Sequence, residues 1–170
     1  MTFEQFEQYV DDGKKHELLG GRHVVMLPAT IRNSRVRQNL HDLLWPYVRE
    51  DQLGEVYISA GFKLPGDTFL TPDTSFIRKS HIDRTDPNGY FEGAPALAIE
   101  VASDSNTAAL LDLKMELYFA HGAEEVWVVY PQTRRIRAHF PDGHSETLSG
   151  GLQSGLFPGW SAPLPAVFGN

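Results

Sequence analysis

Glu100 lies inside the run Ala96-Leu97-Ala98-Ile99-Glu100-Val101-Ala102, in which every other residue is apolar. An unpaired carboxylate buried there would cost several kcal/mol, so it requires a cation, a partner or a role. A second acid, Asp73, follows Pro72, whose ring restricts the backbone and helps fix where the carboxylate points. Further along, Lys114 sits among Leu110, Leu113, Leu117 and Tyr118. A lysine in such company either snorkels to water or points at a charge. Two carboxylates converging from neighbouring strand ends would make a hard-oxygen site suited to Mg²⁺ or Mn²⁺. Together with an ammonium, that inventory serves phosphodiester hydrolysis: a metal polarises the phosphoryl oxygen and acidifies water, and the ammonium orients that water or stabilises charge. Each residue also has an ordinary explanation. Asp73 could cap a turn, Glu100 could form a structural ion pair, and Lys114 could be a snorkelling surface lysine.

These residues need elements to position them. The run 96–102 reads as a central strand buried on both faces. Asn106 or Thr107 can cap a following helix that reaches about Ala120 and stops at His121-Gly122. Residues 125–130 form a second apolar strand, so a strand–helix–strand crossover places the two strands parallel. Residues 74–78 read as a short strand and 54–64 as an extended segment turning at Pro65-Gly66-Asp67. Val36, Leu40, Leu43, Leu44, Tyr47 and Val48 mark a long helix over 31–50. Phe3, Phe6 and Val10 suggest a short helix over 2–12, followed by two strands around Gly20-Gly21. Residues 80–93 read as a charged loop, in which Tyr90 and Phe91 could stack on a base or anchor the loop in the core. Arg135–Phe140 and Ser145–Leu148 flank a turn and make a hairpin, and the Gly- and Pro-rich tail offers Phe157 and Trp160 as apolar anchors.

The chain has 170 residues, 41% of them hydrophobic, which suits one globular domain spanning 1–170. It has no cysteine, which excludes thiolate metal sites, disulfides and a cysteine nucleophile. The histidines show no zinc-ligand spacing, and neither a Gly-x-Ser-x-Gly elbow nor a phosphate-binding glycine loop is present. No secretory signal or membrane-length apolar run is visible, so the expectation is a cytoplasmic protein with no membrane partner. The formal charge of −7 runs against nucleic-acid binding. Two local clusters run the other way: Arg32, Arg35 and Arg37, and Arg134, Arg135 and Arg137. Each is also what a solvated helix face or strand edge looks like.

Thr71-Pro72-Asp73-Thr74-Ser75-Phe76, the segment from Gly93 through Glu100 to Ala108, Lys114–Tyr118 and Gly122–Pro131 together resemble the Uma-two family of endonucleases. That family lies within the PD-(D/E)XK superfamily, and the similarity runs from Thr2 to about Phe168. It implies an α/β fold of restriction-endonuclease-like type: a mixed sheet flanked by helices, with an N-terminal β-hairpin extension. It also implies that Asp73 and Glu100 are metal ligands completed by the Val101 carbonyl, with Lys114 as the catalytic lysine. The superfamily's usual lysine position is Ala102 here. Glu17 matches a common family acid and would be a further ligand, a supporting carboxylate or a strand acid paired to an arginine. The chain departs from the family at Asn33, which stands where a histidine is frequent. Further departures are Ser103-Asp104-Ser105 in place of Ser-Pro-Ser, and Gly20 and Arg22 in the hairpin.

The expected function is therefore a Mg²⁺- or Mn²⁺-dependent endonuclease acting on DNA. The alternative is a non-catalytic homo-oligomer that keeps the fold, which the acidic charge favours. A two-fold homodimer is expected in either case, burying the 157–160 tail or the 134–148 hairpin.

Overall fold

A computed structural model of the chain describes residues 1–9 and 12–169. It begins with α1 (Phe3–Glu7), closed by a reciprocal capping box between Thr2 and Gln5. Gln8 ends this helix, which is shorter than the 2–12 expected, and Val10 and Asp11 lie outside the described residues. Strands β1 (Lys15–Leu19) and β2 (Arg22–Met26) pair around Gly20 and Gly21, whose φ angles of 57° and 81° are those a two-residue hairpin turn requires. Helix α2 (Ile31–Glu50) starts at Thr30, whose hydroxyl accepts from the Asn33 amide.

The segment expected to be extended over 54–64 breaks into β3 (Gly54–Ile58) and β4 (Phe62–Leu64), divided by Ser59 at φ 55°. β5 (Thr68–Leu70) and β6 (Thr74–Arg78) follow. The expected 80–93 loop contains part of a short helix, α3 (Lys79–Ile82), and a two-residue strand, β7 (Phe91–Glu92). β8 (Leu97–Val101), α4 (Ala108–Ala120) and β9 (Glu125–Tyr130) form the expected crossover, with β8 and β9 parallel. β10 (Arg135–His139), β11 (Ser145–Thr147) and a final helix, α5 (Pro165–Phe168), complete the chain.

The strands form two sheets. The larger runs β11-β10-β9-β8-β6-β3, and the smaller runs β2-β1-β5-β4-β7. The N-terminal hairpin thus extends into a sheet of its own, through the pairing of Leu18 with Phe69. The period-2 alternation of β8 then sorts its residues. Leu97, Ile99 and Val101 join the cluster formed with Val36, Leu40, Leu44 and Val48 of α2. Ala98 faces the other way, into a cluster with Tyr118 of α4 and Leu19 of β1. Glu100 shares that second face, so it projects into the space between the larger sheet, α4 and the smaller sheet.

The tail is packed rather than offered to a partner. Phe157 is fully buried with its ring 4.9 Å from that of Phe76, and the Trp160 indole donates to the Leu43 carbonyl. The two apolar anchors of the tail are thus spent on the core, Phe157 wholly and Trp160 in part. No helix among the described residues is long and apolar enough to cross a membrane.

The edge of the larger sheet depends on Gly54. Its φ is 154°, and a Cβ there would lie 1.9 Å from the Ile77 carbonyl oxygen across the β3–β6 pair. Gly54→Ala should therefore cost on the order of 2 kcal/mol, since the backbone itself must move. Urea denaturation checks this: the midpoint should fall with an unchanged slope.

Candidate active site

Glu100, Glu17 and Asp73 converge from three strands or their ends, and each is at most 1% exposed. Glu100 comes from β8, Glu17 from the middle of β1 in the other sheet, and Asp73 from the residue before β6. Lys114 of α4 is fully buried and joins two of them: its Nζ lies 2.7 Å from Glu100 Oε1 and 2.9 Å from Glu17 Oε2. Of the two courses open to a lysine in apolar surroundings, it takes the one that points at charge. The Tyr118 hydroxyl, one turn further along α4, donates to Glu100 Oε1 at 2.7 Å.

Asp73 is held from two sides. Its Oδ2 accepts from the Val101 amide at 2.7 Å, which ties it to the residue after Glu100. Its Oδ1 lies 2.6 Å from Arg37 Nη2 and 3.3 Å from Lys15 Nζ. Lys15 also stands 3.6 Å from Glu17 Oε1, and that oxygen accepts from the Thr71 amide and hydroxyl. Three carboxylates are thus balanced by three cations, Lys15, Arg37 and Lys114.

The acids are not equivalent. Burial opposes ionisation of Glu17, but Lys114 and Lys15 overcome it and hold the carboxyl down at about 2. Burial pushes the Glu100 carboxyl above the usual carboxylate range; Lys114 and Lys15 pull it back only partly, and the charges of Asp73 and Glu17 add to the rise. Burial also works against the Lys114 ammonium, yet Glu100 and Glu17 outweigh it and raise its pKa above the ordinary lysine value. Burial and the Glu100 charge likewise keep the Tyr118 phenol protonated.

Sequence reasoning named Asp73, Glu100, Lys114 and Glu17, and the fold brings all four into one network. It missed Lys15, Thr71 and Tyr118, and it read Arg37 only as part of a surface cluster. Period-2 alternation would have placed Lys15 on the Glu17 face of β1, and the i,i+4 spacing would have placed Tyr118 beside Lys114. Asn33, where a histidine was expected, is buried and donates to the Ala102 carbonyl at 3.3 Å, bracing the end of β8. The Val101 carbonyl accepts a long 3.4 Å bond from Asn106.

Among the described residues no three histidines, aspartates or glutamates form a group that could hold a metal by themselves. The donor chemistry nevertheless fits a hard divalent cation that keeps most of its waters and needs only one or two carboxylates. Glu100 Oε2 is a buried oxygen with no hydrogen-bond donor, so acceptor capacity is unspent where such a cation would bind. Above Asp73 opens a small cleft of about 90 Å³, reached by Lys15, Arg37, Asn33 and Asn106. It has room for a few waters or a phosphate group.

The model of the Uma2 family, described as "Putative restriction endonuclease", matches residues 3–166. The chain belongs to the Uma2 family. No curated protein matches its sequence. The crystal structure of a putative nuclease from Anabaena variabilis resembles it with a TM-score of 0.86 at 15% identity, covering 99% of this chain and 97% of that one. That likeness bears on the fold and supports the restriction-endonuclease-like architecture. In this Uma2 protein the buried lysine of the network stands on α4, and Ala102, just after β8, spends its amide on the Val129 carbonyl.

Proposed function

We propose that this protein is a magnesium- or manganese-dependent endonuclease that hydrolyses phosphodiester bonds in DNA, with Asp73, Glu100 and Lys114 as its catalytic residues. The observation that carries this reading is the convergence of a fully buried, charged lysine on Glu100 and Glu17 beside a third buried acid. Three carboxylates and a lysine would be an expensive way to fill a core that apolar side chains could fill more stably.

Asp73, Glu100 and the Val101 carbonyl would hold the cation, with Glu17 supporting the site through Lys114. When bound, the ion supplies Lewis acidity at the phosphoryl group and acidifies water. The residues of the chain do the rest. Lys114 stays protonated, so it cannot act as a base; it donates hydrogen bonds and offsets negative charge in the dry interior. Lys15 and Arg37 are each 20% exposed at the side chain, which lets them leave Asp73 Oδ1 for phosphate oxygens at the cleft mouth. Tyr118 holds Glu100 in place through its hydroxyl.

The test is nicking of supercoiled plasmid with Mg²⁺ or Mn²⁺, run beside Glu100→Ala and an EDTA control. Metal-dependent nicking by the wild type alone is the expected result. A folded wild type that nicks nothing would leave the non-catalytic oligomer as the reading. Cleavage of both strands needs a second site, and a two-fold homodimer would supply it. Light scattering should then give twice 19.0 kDa, and a monomer at every salt concentration would remove that provision.

A further inference from the structure

Lys15 and Arg37 line the small cleft over Asp73, and they also line a second cavity of about 460 Å³ on its far side. The floor of this second cavity is aromatic. Phe3, Phe6 and Phe69 form a buried cluster, and Tyr90 stands edge-on to Phe69 at 4.7 Å. Tyr90 nevertheless remains 45% exposed. Phe91, its neighbour, is a core anchor stacked on Phe62 at 5.1 Å, so the two aromatics of this loop have different tasks. Gly61 makes the room: a Cβ there would meet Phe69 Cζ at 2.5 Å and Tyr90 Cδ1 at 2.9 Å. On the opposite side of the cleft, two further cavities carry Arg32, Arg35 and Arg134, one of them sharing Asn33 and Ser103 with the cleft. Cations therefore line the cavities that adjoin the acidic centre, beside Glu7 in the aromatic one and Asp104 in the one that shares Asn33, although the chain as a whole carries a charge of −7.

We infer that the aromatic cavity receives one unpaired base of a DNA strand. The adjoining phosphate would lie on Lys15 and Arg37, and the strand would continue toward Arg32 and Arg35. This rests on the phosphodiesterase reading above and adds the substrate's form to it. A base within a duplex is stacked on its neighbours and cannot enter a side cavity, whereas an unpaired or extruded one can. An exposed tyrosine over an apolar floor provides the stacking surface, and the cations at its inner rim select the attached phosphate.

The experiment is fluorescence anisotropy in EDTA with three labelled oligonucleotides: a single strand, the same strand with a central abasic site, and a blunt duplex. The single strand should bind the wild type most tightly. Tyr90→Ala should weaken that binding about tenfold, and Tyr90→Phe, which keeps the ring, should not. The abasic strand should bind wild type and Tyr90→Ala alike. A thermal melt of each variant guards against misfolding. Equal binding of strand and duplex, or indifference to both the ring and the base, would overturn the inference. Tyr90-dependent strand binding by a protein that nicks nothing would uphold it and sink the endonuclease reading. Nicking without any Tyr90 dependence would do the reverse.

Discussion

Lys114→Met should destabilise the protein by about 3–5 kcal/mol, the usual cost of leaving buried charges without their partner. The substitution keeps much of the side-chain volume, so the loss is electrostatic rather than a packing defect. Glu17 and Glu100 both lose the ammonium within 3 Å of them, and α4 has no other cation at that depth. Chemical denaturation measures the loss directly. Adding Glu100→Gln to Lys114→Met should recover part of it, because one of the two stranded carboxylates is then gone. A single-variant loss below about 1 kcal/mol would mean that water enters the site and hydrates the acids, contrary to their complete burial.

Glu17→Gln should lower the melting temperature at neutral pH, whereas Glu100→Gln should preserve or raise it. The Glu17 carboxyl is held down from 4.5 to about 2, which corresponds to roughly 3 kcal/mol of stability at neutral pH. That contribution is present in full above the unfolded value and is lost as pH falls toward 2. Glu17→Gln removes it. Glu100 has the opposite sign: its folded value is raised, so its contribution is lost as pH rises from 4.5 through that value. The neutral Glu100→Gln side chain should therefore melt at the same temperature as the wild type or higher at pH 7, with Lys114 still paired to Glu17. Mg²⁺ should raise the wild-type melting temperature by mass action and leave Glu100→Gln unmoved. Scanning calorimetry with and without the ion reads all of this. An intact magnesium increment in Glu100→Gln would place the ion elsewhere.

Glu100 was legible because a single carboxylate in an apolar strand violates the pattern around it, and Lys114 because it does the same on a helix. The β8–α4–β9 crossover was legible from two long apolar runs and a capped helix between them. The smaller sheet was not, because β4 and β5 are three residues each and too short to show a period. Without that sheet nothing placed β1 against the end of β6, so the company Glu17 keeps could not be read from spacing. Arg37 was hidden for a different reason. In the sequence it is one of three arginines on a helix, and only the packing of Asn33, Val36 and Leu40 against the core shows which of them turns inward. Charge summed over the chain was equally uninformative, since it averages away the cations gathered around the cleft.

The bond between Lys114 and Glu17 spans 97 positions of sequence. During synthesis the first strand leaves the ribosome long before the helix that completes its charge balance. Until then Glu17, Lys15 and Asp73 form a fragment without the lysine that balances Glu17. A chain that stops before α4 thus lacks the ammonium that joins Glu17 to Glu100, and the charge network is completed only once that helix has been made. The same division suggests a practical handle. A break in the polypeptide within residues 27–29, between the N-terminal hairpin and the long helix, would separate Glu17 and Lys15 from Lys114. Reunion of the two pieces would then restore the network all at once.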